Sequence, residues 1–431
     1  MPSKNNPFKP TQPVFSGMFA GRINEIKRIE TILCETKENN PTNLLVVGER
    51  GIGKTSLLLL ARFLAQGAIP CDGEKLDFLT IFISLDRRTF VGELARKMNA
   101  AMERGLRESQ GAIQFLREAW SFIQRLEVSG IKLGPKSPAT NEAEVFEKFT
   151  YSIVDTVKAI TSEESASSKL GLVHPKDGLV IFIDEADNAP EELDLGTLVK
   201  QLSEKLVTED CNKVLFILAG CPEIRNVLIK SHASAPRLFE ELELTTLSGE
   251  DVKWVIKQGL EEANKNNSVP VEITDEALDR IIAYSEGYPH FVQQFGYSSY
   301  AFDNDNLVDL KDVDTAAFTA FRHIGDRYYK DMYFNKIKEN SYRQVLKIMS
   351  EKWNEWVLKK EIRAHFKGTG TGLNNALKAL ADRNVILRKP GTRGEYRLQW
   401  LGFAFWIKVF AEKLESDIRS YNGTSTVNGT K

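Results

Sequence analysis

The stretch 44-LLVVGERGIGKTSLLLLARFLA-65 constrains this chain more than any other. Leu44 to Val47 are continuously apolar and flanked by Asn43 and Gly48, which predicts a short buried strand. From Thr55 the apolar positions Leu57, Leu58, Ala61, Leu64 and Ala65 recur at helical spacing. Between them lies Gly48-Glu49-Arg50-Gly51-Ile52-Gly53-Lys54-Thr55, followed by Ser56. This fits G-x-x-x-x-G-K-[ST] in the strand-to-helix setting that the motif needs. Glycines let the backbone curl so that successive N–H groups point inward, towards the positive end of the following helix. Lys54 can reach the β and γ phosphates of a nucleotide, and the Thr55 hydroxyl can ligand Mg²⁺. An ordinary glycine-rich turn with a stray lysine would not need so complete a pattern.

A second segment agrees. In 178-GLVIFIDEADN-188 five apolar residues end in Asp184-Glu185, followed by Asp187. Strands of an α/β sheet deliver ligand-binding groups at their C-terminal edge. Asp184 is the candidate for holding the Mg²⁺ shell, and Glu185 for polarising the attacking water in phosphoryl transfer. A strand running into an acidic helix cap is the alternative for this segment taken alone. The runs 78-FLTIFISL-85 and 214-VLFILA-219 read as further strands covered on both faces, with helical segments between. Together they predict a parallel, doubly wound sheet.

The rest of the composition narrows the setting. At 431 residues the chain suggests two to four domains, and 57 Lys+Arg against 59 Asp+Glu say nothing about partners. Cys34, Cys71, Cys211 and Cys221 form no CxxC pair, which argues against a zinc site or disulfide framework and for a reducing compartment. The polar, proline-rich start MPSKNNPFKPTQP lacks the apolar core of a signal peptide, and no run is long and apolar enough to span a membrane. A cytoplasmic protein is expected.

On these residues the chain resembles the P-loop ATPases of the AAA+ type, in particular the origin-recognition-like and STAND ATPases. Upstream of the loop, 19-FAGRINEIKRIETIL-33 is similar to their F-x-G-R-x-x-E-[IL] segment, which implies that Phe19, Gly21 and Arg22 border the adenine. The stretch 231-SHASAPRLFEELELTTLSGEDV-252 is similar to a segment that carries an arginine able to reach a neighbour's γ-phosphate, here Arg237. An arginine making only a surface salt bridge fits that position equally well. In 285-SEGYPHFVQQFG-296, Gly287-Tyr288-Pro289 resembles the STAND G-x-P motif, which implies that Pro289 packs beside the nucleotide. Two departures stand out. After Ala219 only Gly220-Cys221-Pro222 follows where the family usually has Asn, Ser or Thr, and the lid arginine of working AAA+ machines is missing, with His290 the nearest polar residue. The first implies slow hydrolysis, and the second a nucleotide-controlled switch rather than a processive motor.

The C-terminal third changes character. Residues 341–400 hold 13 Lys+Arg against 5 Asp+Glu. The helical segments 342-YRQVLKIMSEK-352, 356-WVLKKEIRAHF-366 and 371-TGLNNALKALADRNVI-386 precede two strand-like runs within 387-LRKPGTRGEYRLQW-400. This is the layout of a winged helix–turn–helix. In its third helix Leu373, Ala376, Leu377 and Leu380 share one face, and Thr371, Asn374, Asn375 and Lys378 largely the other. As a DNA reader it would put Asn374, Asn375 and Lys378 against base edges, and Lys389 and Arg393 of the wing on phosphate, with Lys359, Lys360 and Arg363 adding charge. As a packing module, the use STAND proteins make of it, it would contact no DNA.

The expected organisation is therefore α/β, with an AAA+ type P-loop parallel-sheet core, a helical lid and a C-terminal winged helix. An N-terminal extension occupies 1–14, the core 15–247 with a helical insertion at about 100–170, the lid 248–335, the winged helix 336–412 and a disordered tail 413–431. A hairpin is expected at 126–134. The expected activity is hydrolysis of ATP to ADP and phosphate with Mg²⁺. The expected partners are ATP, ADP, double-stranded DNA, a separate effector protein and further copies of the chain in a nucleotide-dependent homo-oligomer. One reading is an ATP-controlled DNA-binding protein; a second is a signalling or defence switch whose effector is separate; a third is an ATP-binding scaffold with negligible turnover.

Overall fold

The computed structural model describes residues 5–13, 18–71, 73–123, 142–353, 355–411 and 413–415; the hairpin expected at 126–134 and nearly all of the tail expected at 413–431 lie outside them. The described residues form two compact units, one built on Gly21–Thr245 and the other on Thr246 onward with the N-terminal residues up to Gln12 and around Met18–Ala20.

The first unit holds strands β1 (Asn43–Gly48), β2 (Phe78–Ser84), β3 (Gly178–Asp184), β4 (Val214–Gly220) and β5 (Phe239–Leu244). They make one parallel sheet in the order β2-β3-β4-β1-β5. Helices α1 (Ile23–Lys37), α2 (Lys54–Ala65), α3 (Val91–Gly105), α4 (Gln110–Ala119), α5 (Glu142–Thr161), α6 (Glu163–Ser168), α7 (Leu195–Thr208) and α8 (Ile224–Ser231) accompany it. Parallel strands need crossovers, and helices on both faces explain why β3 and β4 are buried at every position. The sheet order decides the function of its edge. β1 lies between β4 and β5, with Val47 opposite Gly220 and Gly48 opposite Leu244, while β3 lies one strand further out with Ile183 opposite Leu218. The strand ends Gly48, Asp184, Gly220 and Leu244 therefore gather at one edge. Between β2 and β3, helices α3 to α6 bury Trp120, whose indole N–H donates to Thr156 Oγ1 at 3.0 Å.

The second unit starts with α9 (Gly249–Asn264), β6 (Glu272–Ile273), α10 (Asp275–Ser285), α11 (Pro289–Phe302), β7 (Leu307–Val308) and α12 (Leu310–Ile324). Reciprocal Ser248/Asp251 and Asp309/Asp312 hydrogen bonds fix the starts of α9 and α12. It continues with α13 (Asn340–Ser350), β8 (Val357–Leu358), α14 (Lys359–His365), α15 (Gly370–Asp382), β9 (Ile386–Arg388), β10 (Glu395–Leu398) and α16 (Leu401–Trp406). The last three strands form an antiparallel sheet in the order β8-β10-β9. One residue of the proline-rich N-terminal segment enters the core of this unit. Phe8 is 2% exposed, its ring packs over Gly259 and Gly296, and Lys9 N–H donates to Gln293 Oε1 at 3.0 Å.

The turn before α11 ties distant parts of this unit together. Gly287 has φ +72, and a side chain there would collide with the Leu247 carbonyl, so only glycine fits. Beside it the Glu286 carboxylate accepts from the Leu401 N–H at 2.6 Å, and Tyr288 Oη accepts from Trp400 Nε1 at 2.9 Å. The Glu286 carboxylate thus caps the first turn of α16 from a loop more than a hundred residues earlier. Burial pushes this carboxyl up to about 7, against the opposite pull of the Leu401 N–H and of Arg397. A folded value above the unfolded 4.5 means that the fold prefers the neutral acid. That stabilisation is complete below the unfolded value and is lost as pH rises through about 7, an effect on the order of 2–3 kcal/mol. Glu286→Gln keeps an acceptor and is always neutral. In denaturant titrations it is expected to match the wild type at pH 5 and to exceed its stability at pH 8; equal pH dependence in both proteins would contradict this.

Candidate functional site

The phosphate loop forms where the apolar strand β1 runs out and α2 begins. Gly53 stands at the helix start with φ +102, a conformation open to glycine and costly to other residues. No side chain caps α2, and among the described residues the N–H groups of Gly51, Gly53, Lys54 and Thr55 donate to no protein acceptor. A row of unpaired N–H groups at the positive end of a helix is the arrangement that holds phosphate. Lys54 Nζ lies over the same loop, donating to the carbonyls of Gly48 at 2.7 Å and Glu49 at 2.9 Å.

Asp184 meets this loop from across the sheet. Thr55 Oγ1 donates to Asp184 Oδ2 at 2.7 Å, and Asp184 Oδ1 accepts from Glu185 N–H at 2.9 Å. Asp184 is 3% exposed, so this carboxylate is held in place by both bonds. Glu185 follows at φ 52, left-handed and exposed, with Asn188 Nδ2 donating to its Oε2 at 3.4 Å. A strained turn of this kind, costing about 1–2 kcal/mol, sets the second carboxylate apart from the buried first one. The pair thus divides into a fixed, buried acid beside a hydroxyl and a solvent-facing acid beside it.

Two further residues belong to the site. Asp187, to which the sequence assigned no role, accepts the Cys221 N–H on Oδ1 at 2.8 Å and so fixes the end of β4 against the end of β3. The only signal for it was its place in the acidic run after β3. Cys221 Sγ lies 3.8 Å from Lys54 Nζ; burial pushes the thiol above its usual value while Lys54 pulls the other way. In place of an amide or hydroxyl, the end of β4 is followed by a thiol, a weak hydrogen-bonding group.

Arg22 lies against the phosphate loop. It is 5% exposed, and its guanidinium donates to the Ile52 carbonyl of the phosphate loop at 3.3 Å and to the Thr245 carbonyl just past β5. The side chain joins the loop to the end of β5, the strand beside β1. Gly21 precedes it at φ +68. Phe19 and Pro289 belong to the other unit, where Pro289 is the first residue of α11. Arg237 is exposed on a short 3-10 turn, Ala235–Leu238, and its side chain makes no hydrogen bond or ion pair among the described residues. Arg22→Ala leaves two carbonyls without their donor and is expected to cost about 1–3 kcal/mol in urea unfolding of the chain, with Arg22→Lys intermediate; no loss would contradict this tie.

On the candidate DNA face of α15, Leu373, Ala376, Leu377 and Leu380 are buried while Thr371, Asn374, Asn375 and Lys378 are exposed. The two basic residues of the candidate wing sit differently. Lys389 Nζ is paired with Glu395 Oε2 at 2.7 Å across the β9–β10 turn, whereas Arg393 is exposed. Arg363 is turned inward to its own helix end, donating to the carbonyls of Phe366 and Gly368.

Comparison with known proteins agrees with this geometry. The model of the AAA ATPase domain matches residues 18–217. An uncharacterised HTH-type transcriptional regulator of Methanocaldococcus jannaschii is 22% identical over 294 residues, 66% of this chain and 64% of its own length. The ATP-binding subunit ClpL of the Clp protease of Staphylococcus aureus is 25% identical over 52% of this chain and 31% of its own. This chain thus spans less than two thirds of the length of either curated relative. Among solved structures, a Walker-type ATPase of Pyrococcus abyssi shares the fold with TM-score 0.55 at 15% identity, covering 93% of this chain and 99% of that one. The ORC2 protein of Aeropyrum pernix does so with TM-score 0.58 at 11% identity, covering 95% and 98%. Among the described residues no helix is long and apolar enough to cross a membrane. Residues 18–217 of this chain thus match the AAA ATPase domain, and the chain shares its fold with the Walker-type ATPase of Pyrococcus abyssi and the ORC2 protein of Aeropyrum pernix.

Proposed function

We propose that the chain binds and hydrolyses ATP with Mg²⁺ and that the bound nucleotide controls DNA binding by its C-terminal module. The observation that carries the first part is the unpaired N–H row of Gly51, Gly53, Lys54 and Thr55 beside the Thr55–Asp184 hydrogen bond. These groups fit a triphosphate and its cation: N–H donors and an ammonium for the phosphates, a hydroxyl and a carboxylate for the metal. Thr55 and Asp184 would hold Mg²⁺, which when bound neutralises phosphate charge. Glu185 stands next to this set, and its exposed carboxylate is the group available to accept a proton from water. Gly48, Glu49, Arg50, Ile52 and Ser56 complete the loop, and Gly21 and Arg22 set its backbone.

Arg237 is proposed as a finger offered to a second copy, its exposure being the support. The weak donor at Cys221 favours slow turnover, as a switch needs. Glu185→Gln is expected to retain ATP binding while lowering turnover at least about a hundredfold, and Lys54→Ala to lose binding. Equal turnover in Glu185→Gln and wild type, measured as phosphate release, would remove Glu185 from the mechanism.

For the second part, the support is the element order from α13 to β10, which is that of a winged helix, and the exposed Asn374, Asn375 and Lys378 on α15. The Methanocaldococcus jannaschii relative is named an HTH-type regulator, which points the same way. Asn and Lys address base edges, and Arg393 would contact phosphate. Anisotropy titrations with duplex DNA at rising KCl should give affinity that falls steeply with salt, and Arg393→Ala should lower the slope by about 1. No binding at low salt would favour the second reading, a switch whose C-terminal module packs or meets a separate effector. The Glu286 and Tyr288 bonds to Leu401 and Trp400 give that reading its support.

A further inference from the structure

The sequence offered no cysteine pair, yet the fold brings two cysteines together. Cys34 lies in the last turns of α1 and Cys71 in the segment between α2 and β2, and their sulfurs are 3.6 Å apart. Neither is in a disulfide, and Cys71 is buried at 1% exposure while Cys34 is half-buried. The approach is held on both sides. Cys71 and Glu74 pair their backbones, N–H to carbonyl at 2.7 and 2.8 Å. One turn beyond Cys34, Lys37 Nζ is 3.4 Å from Glu74 Oε2, and it is also 3.8 Å from Asp177. The helix and the 71–74 segment are thus joined by an ion pair next to the sulfur contact. A disulfide needs the sulfurs about 1.5 Å closer, at about 2.05 Å.

We propose that Cys34 and Cys71 are a disulfide-forming pair, an oxidation site that closes the segment carrying the phosphate loop into a covalent ring. Residues 35–70, which the bond would enclose, contain β1, the whole loop and α2. The oxidant is a low-molecular-weight disulfide, RSSR. The more accessible Cys34 attacks as thiolate, giving Cys34–S–SR and one RSH; Cys71 then displaces the second RSH from the Cys34 sulfur. Two electrons pass from the protein thiols to RSSR, and one S–S bond is exchanged for another. Cys211 and Cys221 have no cysteine neighbour among the described residues and serve as internal controls.

The ring would restrict the unfolded chain and stabilise the nucleotide-binding unit. The test uses the full chain, incubated with glutathione disulfide, quenched in acid, capped with N-ethylmaleimide and digested without reductant. The expected result is one linked peptide pair, Cys34 with Cys71, lost on adding dithiothreitol, with Cys211 and Cys221 found capped. Thermal unfolding of the oxidised protein should rise by about 5–10 °C over the reduced form. Cys34→Ser, at the half-buried and more tolerant position, should unfold like the reduced wild type and show no shift with the oxidant. Recovery of Cys34 and Cys71 both capped, a lasting mixed disulfide on Cys34, or a Cys34-linked dimer would each overturn the proposal. None of these outcomes depends on nucleotide binding.

Discussion

The hydrogen bond from Thr55 Oγ1 to Asp184 Oδ2 is the contact on which the site depends. Thr55 lies in the first turn of α2 and Asp184 ends β3, and β4 lies between β3 and the strand that feeds the loop. The bond spans that intervening strand at the sheet's C-terminal edge. A buried carboxylate is costly unless it is hydrogen-bonded, and here a hydroxyl and a main-chain N–H supply its partners. Asp187 and Arg22 brace the surroundings, one fixing the end of β4 and the other tying Ile52 to Thr245.

The second unit also concentrates its ties in one place. One short turn, Glu286 to Pro289, starts α11, accepts from the Leu401 N–H and holds the Trp400 indole. Its carboxylate is titratable near neutrality, which gives the connection a sensitivity to pH as well.

Much of the site was legible because its chemistry is local in sequence. The phosphate loop is eight consecutive residues, and Asp184-Glu185 sits at the end of one apolar run, so strand, turn and helix signals identified both. The buried and exposed faces of α15 were legible for the same reason, since Leu373, Ala376, Leu377 and Leu380 recur at helical spacing. What could not be read depends on long separations. Arg22 reaches Thr245 over 223 residues, and Glu286 reaches Leu401 over 115. Phe8, a lone aromatic in a polar segment, gave no periodic pattern from which its burial could be inferred. The ion pair of Lys389 with Glu395 needed the register of β9 on β10, with Tyr396 opposite Arg388.

By itself, the sequence determined the parallel α/β core, the phosphate loop and the acidic strand end, because apolar periodicity and glycine placement are set by neighbours along the chain. Tertiary structure alone decided which strand ends share an edge, that Arg22 serves the loop backbone, and that Cys34 meets Cys71. Those outcomes follow from strand order and crossover packing, which bring together residues that carry no mark of one another in the sequence.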